Sequence, residues 1–551
     1  MAEPNTAARR LVERLLAHGV DRVFCVPGES YLAVLDALAD VTDRISVIAC
    51  RHEAGAANMA EAYGKLTGKP GICMVTRGPG AAQAMVGIHT AQHDSTPLIL
   101  FVGQVALGDR GRGAFQEMDF AAVFGSIAKW AAELDEAERT AELVDRAFAT
   151  AVQGRQGPVV LALPEDVLTQ DAGAPGPAPA PPARAGLTAD FLASVGSRLA
   201  AAERPLVVLG GSGWSAAALD ALSRWLEAQA LPVLLSFRRK DLIDNGHPSY
   251  GGDLGLSPNP RLVERVRSAD LLLAVGARLG ENATQGYSLF TRDWTARRLI
   301  HIHPGAEELG RVWPAALSGV SDVAPAALAL ADLDLGRRWE AWREETHADQ
   351  VAFSRPIAVD AKVNLSEVVA HMAQVLPPDA IVTNGAGNFA GWLHRFYCHR
   401  AFRTQLAPTS GAMGYGFPAA IAAKLTAPGR EVVCFAGDGD FMMSANELAT
   451  AVQHGARFVT VVVDNGSFGT IRMHQEREYP GREIATSLQN PDFAAFARSF
   501  GAWGATVDRT EDFPAAFEAA RNAPVAAVIH LKTDVEAIAP GRTLTGLRAG
   551  R

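Results

Sequence analysis

Residues 435–441 read FAGDGDF. A carboxylate stands between two glycines where the apolar run REVVCF, residues 430–435, comes to its end. Glycine lets a backbone take positive φ and approach a ligand closely. The next segment, SANELATAVQHG at 444–455, has helical periodicity. Ser444 is placed as its N-cap and Glu447 follows three residues on, a capping box whose amino end would face an anion. A second strand pattern, RFVTVVVDNGSFG at 457–469, ends in Asp464-Asn465-Gly466. Asp438 and Asn465 therefore close two strands with one helix between them. In open α/β sheets ligands sit beyond the carboxyl ends of the strands. Magnesium takes oxygen ligands and reaches phosphates through one or two carboxylates. The arrangement predicts a Mg²⁺-diphosphate site.

The same alternation of short apolar runs and amphipathic segments extends outward in both directions. RVFCVPG, GICMVTRGPG, PLILFVGQ and PVVLALP occur in the first third; PLVVLGGSG, PVLLSF, DLLLAVGARLG and RLIHIHP in the middle; AIVTNGAG and VAAVIHLK in the last. Strands alternating with helices predict α/β domains with doubly wound parallel sheets. The run DAGAPGPAPAPPARAG, 171–186, is too rich in proline for helix or central strand and reads as a semi-rigid linker. A second break is expected near EETHADQVAFSRPIAVDAK. The division is then 1–170, a linker over 171–187, 188–350 and 351–551, three domains of roughly 170 residues each. The first and last thirds share a strand rhythm.

Bulk properties narrow the class. The 551 residues are 48% hydrophobic and 20% charged, a globular composition. The net charge of −9 speaks against a general nucleic-acid footprint. No apolar run reaches the length of a membrane span, and the amphipathic N-terminus lacks the apolar core of a signal peptide. Five scattered cysteines, Cys25, Cys50, Cys73, Cys398 and Cys434, read as reduced residues of a cytoplasmic protein.

The element GDGDFMMSANELATAVQHGARFVTVVVDN, 437–465, resembles the cofactor motif of the thiamine-diphosphate (ThDP) enzymes, with Asp464 where the family has a first asparagine. The resemblance extends along nearly the whole chain. It implies a fold of three doubly wound parallel-sheet domains, pyrimidine-binding, middle and diphosphate-binding. It also implies ThDP and Mg²⁺ as cofactors. The metal would be held by Asp438, Asn465 and the carbonyl of Ser467, with Gly437, Gly439, Phe468 and Gly469 completing the cofactor motif. NGAGNF, 384–389, is similar to the diphosphate-binding turn, bringing in Gly387, Asn388 and Phe389. PTSGAMGYGFPAA, 408–420, is similar to the segment that bends the cofactor, through the carbonyl of Gly411 and the side chain of Met413. Glu53, in CRHEAGAANMAEAYGKLTG, matches the glutamate that hydrogen-bonds the aminopyrimidine and activates the cofactor. In the family that glutamate serves a cofactor held by another subunit, which implies a homodimer or homotetramer with sites at the interface.

Within the family the chain looks most like the acetolactate synthase large subunits. VTRGPGA, AFQEMD and SIAKW carry this, and Phe115 and Gln116 match an active-site Phe-Gln pair. The implied chemistry is decarboxylation and carboligation of a 2-oxo acid. Decarboxylation or aldehyde (2-hydroxyacyl) lysis without ligation is an alternative; a non-catalytic ThDP-fold binding or regulatory protein, and an NAD enzyme, are others. Two departures touch the substrate. Asn282, in GARLGEN, stands where the branch has an arginine that approaches the second 2-oxo acid, and His474 stands where a tryptophan is expected. Arg77 and Glu29, at strand ends, are candidates for holding substrate or for pairing with each other. LGGSGW and Arg278 resemble parts of a flavin site, whereas His301 and His303 replace the acids expected there, which leaves FAD open.

Overall fold

The computed structural model describes residues 5–550 and contains three six-stranded sheets in which every pairing is parallel. In the first the order is Ser46–Ala49, Arg22–Cys25, Gly71–Val75, Leu98–Gln104, Pro158–Pro164, Trp130–Glu133. In the last it is Gln405–Leu406, Ile381–Asn384, Val432–Gly437, Val459–Asp464, Ala527–Lys532, Trp503–Val507. Numbered within each sheet, both orders are 2-1-3-4-6-5, so the shared rhythm of the outer thirds is a shared topology. The middle sheet runs Leu317–Val320, Leu299–His303, Leu271–Val275, Pro205–Leu209, Val233–Ser236, Tyr250–Leu254. This is the strand order of a doubly wound nucleotide-binding fold.

Both faces of each sheet are covered by helices, which is why the central strands are continuous apolar runs. Val432–Gly437 is buried at every position, as are Pro158–Pro164 and Leu271–Val275. The proline-rich run gives neither helix nor strand between the turn Val167–Thr169 and the helix Ala189–Ala201. The helix Glu340–Phe353 runs through the first part of the segment read as a second break. Four of the five cysteines are buried, Cys398 is exposed, and all are free.

One apolar core passes between the first and last sheets. Ala56, Ala57 and Ala60 of the helix Glu53–Thr67 meet Ala419, Ala420 and Ala423 of the helix Gly416–Thr426 in it. Small side chains on facing helices let the backbones approach closely. Gly71 shows how closely the strand beneath is packed. A Cβ there would stand 1.8 Å from the carbonyl oxygen of Ala60.

Candidate active site

In the last sheet the chain leaves Ile381–Asn384 toward one edge and Val432–Gly437 toward the other. The crevice between these two strand ends is a topological switch point, where such folds bind ligands. A cavity of about 220 Å³ lies there, lined by Gly387, Phe389, Asp438, Asn465, Ser467 and Phe468 among others. Val432–Gly437 pairs with Val459–Asp464 in parallel, Gly437 opposite Val463. Asp438 and Asn465 thus follow neighbouring strands and line one cleft.

The local chemistry at this cleft is that of an oxyanion and cation site. Asp438 is buried, and its Oδ1 accepts from the Gly439 amide at 2.8 Å. Its Oδ2 accepts from Asn490 Nδ2 at 2.8 Å, and the same amide donates to Asp464 Oδ1 at 2.8 Å. Burial raises the Asp438 pKa, and the neighbouring Asp464 adds to the rise. Asp464 moves down despite its own burial, because His530 (2.7 Å), Asn490 and the Gly466 amide all support its charge. Asn465 Oδ1 accepts from the Ser467 amide at 3.0 Å. The buried Ser467 Oγ has no partner among the described residues. The helix Asn388–Phe396 begins at the cleft, so its first amides and dipole favour an anion. A buried carboxylate, an amide oxygen, an unpartnered hydroxyl and a helix amino end fit a magnesium-bridged diphosphate.

The glycines of the motif make the cleft possible. A Cβ on Gly437 would stand 2.6 Å from Phe389 Cδ1, and one on Gly439 2.6 Å from Phe468 Cε1. The Phe389 ring is accordingly part of the floor, packed on Phe435 with centroids 6.1 Å apart. Asn388 spends its side chain on the Ile538 carbonyl (3.1 Å) and Thr470 (3.0 Å). Gly411 takes φ of +74° with open space beside it, and both Gly411 and Met413 line the cleft.

The capping box does not form. The helix Asp438–Met442 starts directly at the motif, and Ser444 makes no cap hydrogen bond. Glu447 instead crosses to the first sheet, accepting from the Arg51 amide at 3.1 Å and from Thr450 Oγ1 at 2.5 Å. Tertiary contact has overridden the local motif.

Glu53 opens the helix Glu53–Thr67, whose N-cap is His52 through Nδ1 and the Ala54 amide at 3.1 Å. Its carboxylate lies against Gly80, 3.3 Å from where a Cβ would be. No residue before Leu365 lines the Asp438 cleft among the described residues, and the residues flanking Glu53 line a different cavity, with Met413 and Gly414. Phe115 is 72% exposed, and Gln116 takes φ of +66°, with its carbonyl accepting from the Gly78 amide at 3.0 Å. Arg77 pairs with Glu165 and stands 3.7 Å from Glu29. His474 is exposed, bonded to Arg477 at 2.8 Å, and lines neither this cleft nor the cavity beside it; Met473 lines the latter.

Three groups were invisible to motif reading. Asp440 is buried and accepts from the Gly414 (2.8 Å) and Ala386 (3.3 Å) amides, so it ties the 408–420 segment to the 384–389 turn. Burial pushes its pKa up to about 7. Asn490 bridges Asp438 and Asp464. A charged network of Glu61, Lys65 and Asp94 holds both ends of the segment carrying Gly411 and Met413. Lys65 pairs with Asp94 and reaches the Ala407 carbonyl at 2.9 Å; Asp94 accepts from the Thr409 amide at 2.7 Å; Glu61 accepts from Tyr415 at 2.5 Å.

Around Arg278 the middle domain offers little room for a flavin. Glu308, buried, stands 2.9, 3.2 and 3.4 Å from Arg155, Arg311 and Arg278, so its carboxylate draws the three guanidiniums together without neutralising them all. Arg278 also donates to the His93 carbonyl. His301 is buried on the Ala277 carbonyl at 2.8 Å. The space left beside them is about 100 Å³, below the usual range for a small-molecule site. Within LGGSGW, Gly211 serves packing, since a Cβ there would stand 2.3 Å from the Gly276 carbonyl oxygen, whereas Gly213 lines a separate cavity of about 350 Å³.

Comparison with known proteins agrees with this geometry. The description "Thiamine pyrophosphate enzyme, N-terminal TPP binding domain" matches residues 5–123, the central domain 192–330, and the C-terminal TPP binding domain 385–531. The acetolactate synthase large subunit of Parasynechococcus marenigrum is 32% identical over 545 residues, covering 95% of this chain and 87% of the relative. The isozyme 2 large subunit of Escherichia coli is 29% identical, covering 96% and 95%. A putative thiamine pyrophosphate-containing protein of Bacillus subtilis, YdaP, is 28% identical, covering 99% and 94%. Three parallel sheets and a switch-point cleft of this composition define a ThDP-dependent enzyme. The chain belongs to the thiamine pyrophosphate enzyme family, in the branch that resembles the acetolactate synthase large subunits.

Proposed function

We propose that this enzyme decarboxylates a 2-oxo acid and ligates the remaining fragment to a second carbonyl compound, with Mg²⁺ anchoring ThDP. The observation that carries the reading is the pairing of Asp438 and Asn465 at adjacent strand ends beside the start of the helix Asn388–Phe396. Asp438, Asn465 and the Ser467 carbonyl hold the metal; Gly437, Gly439, Phe468 and Gly469 shape its bed. The amides that open the helix after Gly387 face the diphosphate. Gly411 and Met413 fix the bend. When bound, ThDP supplies the electron sink for breaking the bond to the carboxylate.

Glu53 manages the proton at the aminopyrimidine, and it comes from a second copy of the chain. Two observations favour this. Every residue lining the cleft among the described residues lies beyond residue 364, and Glu53 is not one of them. Phe115, Ile471, Tyr479 and Ile484 expose large apolar side chains, consistent with a face that another copy covers. A homodimer is then the smallest complete enzyme, and Gln116 and Phe115 approach the partner's cofactor with Glu53. The pairing of Arg77 with Glu165 makes Arg77 and Glu29 supports of the strand ends rather than substrate ligands. Incubation with ThDP, Mg²⁺ and a panel of 2-oxo acids and aldehydes, with products identified by mass spectrometry, tests the reading. Pyruvate turnover by wild type and its loss in Glu53→Gln with ThDP binding retained are expected; equal turnover by the variant contradicts the assignment.

A further inference from the structure

A second cavity, of about 490 Å³, adjoins the Asp438 cleft and shares Gly387, Asn388, Gly411 and Thr470 with it. Its far wall comes from the middle sheet's loops, with Phe237, Arg238, Asp253, Leu256, Pro258 and Asn282. The volume is in the range that encloses small-molecule ligands, and much of the wall is apolar.

Arg238 does not belong in such a wall without a reason. It is 4% exposed and takes φ of +59°, a conformation that costs a non-glycine residue and is retained at functional positions. Its Nε is buried with no partner among the described residues. One terminal nitrogen donates to the Pro408 carbonyl, and the guanidinium lies over the Phe237 ring, 4.9 Å from the centroid. Among the described residues no carboxylate forms an ion pair with it; Asp94 and Asp440 act on it only at longer range. Burial pulls its pKa down to about 10, so it still carries charge at neutral pH. A buried guanidinium lacking a counter-ion is costly, and its planar fork of donors matches a carboxylate.

The other polar groups around the cavity do not compete for that role. Arg395 lies over the Phe353 and Phe396 rings and donates to the Phe353 carbonyl at 3.0 Å. Arg542 is exposed. Asn282 has no charge. His394 is held neutral by burial, and burial pushes Asp253 toward its neutral form.

We propose that Arg238 binds the carboxylate of the acceptor and so selects a 2-oxo acid, in the place left by Asn282, with the acceptor's body against Phe237, Leu256 and Met473. The inference deepens the reading above and rests on it for the turnover arm alone. In that arm the enzyme with ThDP and Mg²⁺ receives pyruvate as donor and an equal mixture of 2-oxobutyrate and benzaldehyde as acceptors. Wild type is expected to favour the carboxylated acceptor, Arg238→Met to lower the ratio of carboxylated to uncharged product at least tenfold, and Arg238→Lys to fall between. An unchanged ratio in a folded Arg238→Met variant overturns the proposal. The second arm needs no turnover: thermal stabilisation of wild type by 2-hydroxybutyrate and by 2-butanol. Stabilisation by the acid alone, abolished in Arg238→Met and reduced in Arg238→Lys, supports Arg238. Equal effects of acid and alcohol on wild type, no effect of either, or an acid effect that survives undiminished in Arg238→Met, overturns it whatever the turnover arm shows. Absence of any product beside a positive binding arm would count against the ligase reading and not against Arg238.

Discussion

Lowering the pH should weaken the middle sheet through His303, and by a calculable amount. This ring is 2% exposed at the end of the strand Leu299–His303, with Nδ1 3.0 Å from the Gly305 amide nitrogen. Its pKa falls from 6.5 to about 4, chiefly because burial penalises the cation, with His301 and Arg155 acting in the same direction and the Gly305 backbone and Glu308 against it. The sign follows. Well above pH 6.5 the ring is neutral in both states and contributes nothing. Between 6.5 and 4 the unfolded chain takes a proton that the fold refuses, so stability falls as pH falls. One pKa unit corresponds to about 1.4 kcal/mol, and between pH 7 and pH 5 the loss from this one group is about 2 kcal/mol. His303→Asn keeps an acceptor but cannot titrate. Urea unfolding at the two pH values, read by hydrogen exchange in the strand Leu299–His303, should show the variant losing about 2 kcal/mol less than wild type. Equal losses would refute the buried neutral ring, and with it the argument that this strand end is closed packing.

Other consequences are more direct. Asp438→Asn should abolish Mg²⁺-dependent tightening of ThDP binding, measured by quenching of intrinsic fluorescence, while the fold is retained. Lys65→Met leaves Asp94 and Glu61 without their cation and should cost about 3–5 kcal/mol of stability; hydrogen exchange at the Thr409 amide should accelerate with it. Gly437→Ala places a methyl against the Phe389 ring and should cost about 1–3 kcal/mol in thermal unfolding and weaken ThDP binding. Purified protein should show no flavin absorption and gain no stability from added FAD, since His301 and His303 are buried and the space beside Arg278 is only about 100 Å³.

Much of the fold was legible because its signals are local. VVCFAG and VTVVVD are strand-length, apolar on both faces and followed by Asp-Gly and Asn-Gly, which places Asp438 and Asn465 at strand ends without any tertiary knowledge. Residues that act across the fold were not legible. Ser444 and Glu447 have the spacing of a capping box, yet Glu447 bonds Arg51, 396 positions away. Asn490 precedes a proline in an unremarked loop and becomes important only because the fold lays it over Asp438 and Asp464. Lys65 and Asp94 lie on separate helices and read as ordinary surface charges until helix packing buries them together. Arg238 sits in a run, FRRKD, whose charges suggest a solvated turn; its burial is set by the Pro408–Gly411 backbone opposite.

The proposed sharing of one active site between two chains is open to a complementation test. Glu53→Gln and Asp438→Asn, each inactive alone, can be co-expressed and the mixed oligomer assayed with pyruvate. A site built from two chains predicts recovery, to roughly a quarter of wild-type activity for random pairing in a two-fold dimer, because half the dimers are mixed and one of their two sites is intact. Mixed oligomers as inactive as either parent would contradict it.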